Sequence, residues 1–520
     1  MSLLTLVPDA PSVALIVPAG INGSSSAHEI PFSSLRKMVL QFRDIMRTRL
    51  GVQKGQVIAM SNPNSVEFVV GFIGTGASRA VSAPLNPSYS SNEVEFYLGD
   101  TKPVLLLLPR GGNDQALKAA NSIGVRTAEF WIDRAGNVNV QVVFEGKKRS
   151  ASSSGGVGGD PQPDDVALVL HTSGTTGRPK SVPLTHHNLL ITSQNIVNTY
   201  WLTPADRSYL VMPLFHVHGL LAGLLAPLRS GGSVVIPDKF SANRFWKDFA
   251  STNCTWYTAV PTIHSILLNS PIPSPLPKIR FIRSCSSSLS PTVFHKLEQT
   301  FKAPVLEAYA MTEAAHQMTS NDFLARTPGT VGMGQGVEIS IRDDKGKELP
   351  TGERGEVCVR GQNVTKGYWE NEKANKESFW EGRWFRTGDQ GILRKEFPHP
   401  LELTGRLKEL INRGGEKISP LEVDSALLAV DGVKEAVCFG VEDEHYGEIV
   451  WAAVVLSAAG SQDSEESRIR HALDGKISKF KIPQRVTIVQ EIPKGPTGKI
   501  SRKNVKEVLV KKHGKTKAKL

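Results

Sequence analysis

Apolar positions along the chain follow two rhythms. Up to about residue 360, short continuous apolar runs alternate with longer helix-like segments. Pro103–Leu108 and Val166–Leu170 lack polar alternation, as buried parallel strands do. Ser65–Ala80 is apolar-rich and carries small residues. This alternation predicts an α/β unit whose sheets are covered by helices. Past Gly405 the rhythm changes. Ser419-Pro420-Leu421-Glu422 reads as a capping box with proline at the first helical position. Val433–Gly440, Ile449–Leu456 and Arg485–Val489 read as strands, and Glu465–Leu473 as a helix. That is a small α+β unit of about 110 residues. The chain therefore divides into residues 1–404 and 405–520, and a large and a small domain should meet at a ligand-binding cleft.

Two stretches interrupt the pattern. Ser150–Gly159 is low-complexity and reads as flexible. Leu210–Leu228 is the most membrane-like segment, but it contains Pro213, His216, His218 and two glycines, so a buried core segment is expected rather than a spanning helix.

Composition narrows the class without naming a function. With 520 residues, 40% hydrophobic and 21% charged, the chain is globular and long enough to enclose a large core and a cleft. Of the net charge of +11, the segment 494–520 holds +9 (ten Lys/Arg against Glu507). A nucleic-acid or membrane-surface role would rest on that tail alone, and no RNP, zinc-finger or aromatic-interleaved basic motif supports one. The tail 508–520 is expected to be a solvated, flexible run. Cys254, Cys285, Cys358 and Cys438 are far apart with no zinc spacing, and all four are expected to be buried thiols. The opening MSLLTLVPDAP has no secretory pattern. Ala518-Lys519-Leu520 resembles the peroxisomal address Ser-Lys-Leu, so a peroxisomal import receptor is an expected partner and the peroxisome the expected location, with the cytoplasm as a second one.

The strongest chemical signal is Leu170-His-Thr-Ser-Gly-Thr-Thr-Gly-Arg-Pro-Lys180, directly after a predicted strand. Glycines let the backbone approach phosphate, while hydroxyls and N–H groups donate to its oxygens. Lys180 can neutralise phosphate charge. A Walker A loop is excluded: Gly174 opens the spacing and Lys180-Ser181 would close it, but Pro179 stands where the second glycine must be.

The phosphate loop 172–180 is followed, in order, by Tyr309-Ala-Met-Thr-Glu313, Thr387-Gly-Asp389, Gly405-Arg-Leu-Lys-Glu-Leu410 and Pro496-Thr-Gly-Lys499. With these five motifs the chain, from about residue 30 to 505, resembles the adenylate-forming acyl-CoA synthetase and luciferase superfamily. PLFHVHGLLAGLL, WYTAVPTIH, RFIRSCSSSL, EAYAMTEAAHQMTSN and LINRGGEKISP are most similar to the peroxisomal oxalate–CoA ligases of fungi and plants. The resemblance implies a large domain of α/β subdomains with covered sheets and a small mobile α+β domain. It implies ATP, Mg²⁺ and coenzyme A, and a carboxylic acid converted through an acyl-adenylate to a thioester. Oxalate is the implied acid, and another short or 4-coumarate-type acid is the alternative.

The resemblance also assigns residues. Thr172, Ser173, Gly174, Thr175, Thr176, Gly177 and Lys180 are expected to hold phosphate. Glu307, Ala308 and Tyr309 are expected along adenine, Thr312 at phosphate, Asp389 at the ribose hydroxyls, and Arg406 at ribose or phosphate. Glu313 is the expected Mg²⁺ ligand, a hard carboxylate for a hard cation. Lys499 is expected to stabilise charge between the substrate carboxylate and the α-phosphate. Lys408 is the expected hinge, and Gly414 and Gly415 the expected pantetheine-facing loop. His216, Ser286 and His316 are expected to line the acyl pocket, where a second carboxylate needs donors, and Arg283 to add positive field; gating of the thiol arm is the alternative role for His216. From the residues alone, Glu313 could be a solvated acid, Tyr309 a core aromatic, Lys499 one more tail lysine, and His216 or His316 a satisfied structural histidine. Two departures stand out. Ser181 replaces the glycine usual after the loop lysine, with little harm expected. Ile392–Leu401 carries basic residues and two prolines and could alter the separation of Asp389 from Arg406.

Overall fold

The computed structural model describes residues 1–21, 25–147, 159–172, 179–457, 462–495 and 500–517. Ser173, Gly174, Thr175, Thr176, Gly177, Lys499, the Ala518-Lys519-Leu520 end and most of Ser150–Gly159 lie outside the described residues.

The architecture is α/β in the large unit and α+β in the small one. In a nine-stranded sheet, six strands run parallel: Val13–Val17, Ser233–Val235, Arg207–Leu210, Trp256–Ala259, Phe281–Cys285 and Val305–Met311. The strand His316–Ser320 then pairs antiparallel with Val305–Met311. A seven-stranded sheet holds Val57–Met60, Val81–Pro84 and Leu105–Pro109, and its edge is the hairpin of Val166–Thr172 with Lys180–Thr185. Helices Val66–Ala77 and His186–Tyr200 and the buried π-helix His218–Leu225 share one hydrophobic core that reaches both sheets. The membrane-like stretch is therefore core, and no helix among the described residues is long and apolar enough to cross a membrane.

The small residues of the segment 65–80 have a packing reason. A Cβ on Gly74 would lie 2.5 Å from the Phe42 ring, far inside contact distance, so the helix Val66–Ala77 can pack this closely only with glycine there. Ser65 caps that helix by accepting from Phe68 N–H.

Residues 338–406 form an antiparallel sheet that ends in the hairpin Trp384–Leu393 with Leu401–Arg406. Beyond it, the C-terminal sheet contains Val433–Asp443, Gly447–Leu456 and Arg485–Ile488, covered by helices Pro420–Leu428 and Gln462–Leu473. The predicted elements are present there: the first two strands and the helix are longer than predicted, and the third strand is one residue shorter. Ser419 caps Pro420–Leu428 by accepting from Glu422 N–H at 3.2 Å. The reciprocal half of the box is replaced: the Glu422 carboxylate pairs with Lys481 at 2.6 Å.

The tail differs from expectation. Arg502–Lys517 is a helix, and its apolar side is docked: Val505 and Leu509 are buried with Val437, Phe439 and Ala453. Arg502 fixes its start through Asp424 at 2.6 Å. Three apolar residues in the basic run, Val505, Leu509 and Ile500, are enough to seat it. All four cysteines are buried and free, as their spacing predicts.

Candidate active site

The parallel strands of the nine-stranded sheet end at one edge, and the chemistry collects there, as it does outside the carboxyl ends of strands in open α/β sheets. After Arg207–Leu210 comes the turn with His216 and His218. After Phe281–Cys285 comes Ser286. After Val305–Met311 come Thr312 and Glu313. The next strand starts at His316, paired with Met311. Ser286, Ala315 and His316 all have positive φ, at 74°, 48° and 97°. Such backbone is unfavourable for residues with a Cβ and is held here by the neighbouring strands.

On the nucleotide side, Glu307, Ala308 and Tyr309 lie in the strand Val305–Met311, with Glu307 and Ala308 beside Ser284 and Cys285. Glu307 is buried; its Oε1 accepts from Leu289 N–H at 2.8 Å, and burial lifts its carboxyl to about 8. The Tyr309 hydroxyl donates to Asp389. Asp389 stands opposite Arg406 in the hairpin register, with Oδ1 3.6 Å from Arg406 Nε. Burial raises the Asp389 carboxyl above its ordinary range, against the pull of Arg406 and the Tyr309 hydrogen bond. The unusual Ile392–Leu401 segment thus leaves the pair together. The register runs on through Leu393 and Leu401, so the added turn sits outside the ladder.

Sequence reasoning missed the support of this pair. Glu356 accepts from Gly388 N–H at 3.1 Å and from Arg386 at 2.9 Å. It locks the turn that presents Asp389. Its signal is an acidic residue beside the apolar run Val357–Val359, a weak one in sequence.

On the phosphate side, Thr172 and Lys180 are register partners at the mouth of the hairpin whose loop carries the phosphate motif. Lys180 Nζ lies 4.5 Å from the centre of the Tyr368 ring, and the Tyr368 hydroxyl donates to Glu313 Oε1 at 2.7 Å. Glu313 is 6% exposed. Burial raises its carboxyl, while the Tyr368 bond and Lys180 pull it down. Thr312, partly exposed, begins the single 3₁₀ turn that carries Glu313. Tyr368 was not foreseen, because its role depends on a contact made 55 residues away in sequence. Ser181 is also not passive: its hydroxyl donates to Asp100 at 2.6 Å and lies 3.0 Å from His171 Nε2.

On the acyl side, the structure brings Ser286 and His316 together through His218. Ser286 Oγ is 3.1 Å from His218 Nδ1, and the His218 and His316 rings stack at 5.2 Å. His216 is the neighbour of this group: its Nδ1 accepts from His218 N–H at 3.2 Å. Beneath them Arg283, fully buried, donates to Tyr200, Thr258 and Gln317. Among the described residues no carboxylate pairs with it.

In the small unit, Lys408 is exposed in the turn after Arg406. Gly414 and Gly415, at φ 59° and 93°, make the exposed turn between Ile411–Arg413 and Glu416–Ile418. A Cβ at Gly415 would meet nothing, so the backbone angle is what calls for glycine there.

The AMP-binding enzyme family model matches residues 11–369, and the AMP-binding enzyme C-terminal domain model matches residues 422–499. The chain belongs to the AMP-binding enzyme family. Within the family, it is 46% identical to an oxalate–CoA ligase of Saccharomyces cerevisiae, over 96% of this chain and 95% of the relative. It is 47% identical to an oxalate–CoA ligase of Arabidopsis thaliana, over 89% and 90%. Among solved structures, ATP-bound MatB from Rhodopseudomonas palustris superposes with a TM-score of 0.84 at 28% identity, covering 98% of this chain and 99% of that one. The large-plus-small-domain fold is that of the family.

Proposed function

We propose that the protein is an acid–thiol ligase that joins oxalate to coenzyme A at the expense of ATP, releasing AMP and pyrophosphate. The reading of the acid is carried by the pocket beside Glu313: Ser286, His218 and His316 over a buried Arg283, with no carboxylate paired to it among the described residues. A dianion offers acceptors to this polar, positively charged edge, whereas an apolar acyl tail would desolvate it and offer none. The named activity of the two relatives agrees with that chemistry.

The residues divide the work as follows. Tyr309, Asp389 and Arg406 position the nucleoside, with Asp389 accepting from ribose hydroxyls. Lys180 and the phosphate loop balance phosphate charge. Lys499 stabilises the charge that builds as the carboxylate oxygen attacks the α-phosphate. Rotation of the small domain about Lys408 then removes Lys499 and brings the Gly414-Gly415 turn to the thiol arm. Glu313 is the residue that would hold Mg²⁺. A single carboxylate fits a cation that arrives on nucleotide phosphates, and no cluster of three or more metal-binding side chains occurs among the described residues. When bound, the ion neutralises phosphate charge.

The test is purified protein with ATP, Mg²⁺, coenzyme A and a panel of acids that includes oxalate, 4-coumarate and a fatty acid, with the thioester identified by mass. Oxalyl-CoA as the main product supports the reading. A main product from another acid overturns it.

A further inference from the structure

A neutral imidazole has one donor and one acceptor nitrogen, and the partner of each decides which is which. His218 is fully buried, so its assignment follows from its neighbours. Its Nε2 lies 2.6 Å from Thr258 Oγ1 and 3.5 Å from Arg283 Nη1, and its Nδ1 lies 3.1 Å from Ser286 Oγ. Thr258 and Arg283 are register partners on adjacent strands, so the contact is set by the sheet.

Arginine can only donate. The Thr258 oxygen therefore accepts from Arg283 Nη1 at 3.1 Å, and the hydroxyl's own hydrogen needs another acceptor. His218 Nε2 is that acceptor. The opposite arrangement would give the Thr258 oxygen two incoming donors and leave its hydrogen buried without a partner, which is costly. A full positive charge beside Nε2 also opposes a proton there. With Nε2 accepting, the ring proton is on Nδ1 and is donated to Ser286. Ser286 Oγ then accepts from within the protein and keeps its own hydrogen for the cleft, into which the strand Phe281–Cys285 opens.

We propose that Arg283, Thr258, His218 and Ser286 form a hydrogen-bond chain of fixed direction, which makes Ser286 a committed donor to a carboxylate of the acyl substrate. Arg283 is a positioning residue in this chain: it acts through Thr258 and His218 and need not touch the acid. The proposal rests on the oxalate reading for the identity of the anion, but the direction of the chain is a property of the protein itself. Tyr200 reinforces it from the far side. Its oxygen accepts from Arg283 Nε at 2.8 Å, and its hydroxyl is within reach of Gln317 and Ser320. The charged or titratable groups around His218 include Arg283, the stacked His316, His216 in the same turn and, around the guanidinium, Tyr200 and Cys285.

The substitution that isolates the chain is Thr258→Val, which keeps the shape and removes the hydroxyl. Arg283→Met is the companion variant, and unchanged thermal unfolding of Thr258→Val guards against misfolding. Thr258→Val should raise KM for oxalate about tenfold and leave KM for ATP unchanged. A merely structural loss would not show this split. In full-length protein with ¹⁵N-labelled histidine, His218 should carry its proton on Nδ1. A folded Thr258→Val enzyme with unchanged oxalate KM, or a proton on Nε2 of wild-type His218, overturns the proposal. If Nδ1 carries the proton while wild-type enzyme ignores oxalate, the functional reading fails and the direction of the chain stands.

Discussion

One hydrogen bond of 2.7 Å joins Tyr368 to Glu313, and the same tyrosine ring lies under Lys180. A carboxylate that is to face phosphate must be ionised, yet burial works against ionisation. The Tyr368 hydroxyl offsets that effect by donating to the charged form.

Tyr368→Phe keeps the ring beneath Lys180 and removes only the donor. Glu313 should then need a higher pH to ionise, so the acid limb of the adenylation rate moves up. At neutral pH, kcat/KM for ATP should fall about tenfold, the worth of a hydrogen bond to a charged group. ATP–pyrophosphate exchange across pH measures both. An unmoved acid limb would show that Tyr368 does not govern Glu313.

Asp389→Asn tests the ribose side. The buried carboxyl is raised above its ordinary range, so its ionised form is tolerated in the folded protein rather than favoured by it. Removing the charge should leave the melting temperature at neutral pH equal to or above wild type. ATP affinity should drop by about tenfold or more with the lost charged acceptor. Calorimetry of unfolding and of ATP binding reads the two separately.

Glu307 sets a pH dependence of stability. Its folded value of about 8 is above that of an unfolded glutamate. Below the unfolded value both states are protonated and its contribution is fully present. Between about 4.3 and about 8 the unfolded chain ionises first, and stability is lost as pH rises. Glu307→Gln, neutral at every pH, should match wild type near pH 5 and melt higher near pH 8. Equal melting curves at both pH values would remove this account.

Ser181 bonds to Asp100 and lies beside His171, at the base of the hairpin whose loop carries the phosphate motif. Ser181→Ala should raise KM for ATP a few-fold, roughly the factor for one neutral hydrogen bond, without changing the acid preference. Steady-state kinetics with two acids separates these effects. A preference that shifts with the substitution would place Ser181 elsewhere in the mechanism.

Much of this molecule can be read from its chain, and the rest fails for physical reasons. The buried strand before the phosphate loop is legible because an uninterrupted apolar run has few other uses. The capping serine at 419 is legible, but the destiny of Glu422 is not, since Lys481 reaches it from a distant segment. In Pro-Leu-Phe-His-Val-His the sequence offers two histidines. His216 and His218 differ only in which one the π-helical turn points at Ser286, and no periodicity reports that. The Asp389–Arg406 pairing survives an unusual connecting loop because hairpin register is set by the ladder, which the loop's composition does not reveal. The tail is the clearest difference: charge predicts solvent, while Val505 and Leu509, spaced one helical turn apart, decide for docking.

The left-handed backbone at Ser286 and His316 has an implication for how such a pocket changes its diet. Glycine at either position would relax the main chain while deleting a polar side chain and opening room. Drift toward bulkier, less charged acids is therefore easy for the scaffold, and the side chains that favour a small dianion persist against the conformational preference of their own backbone.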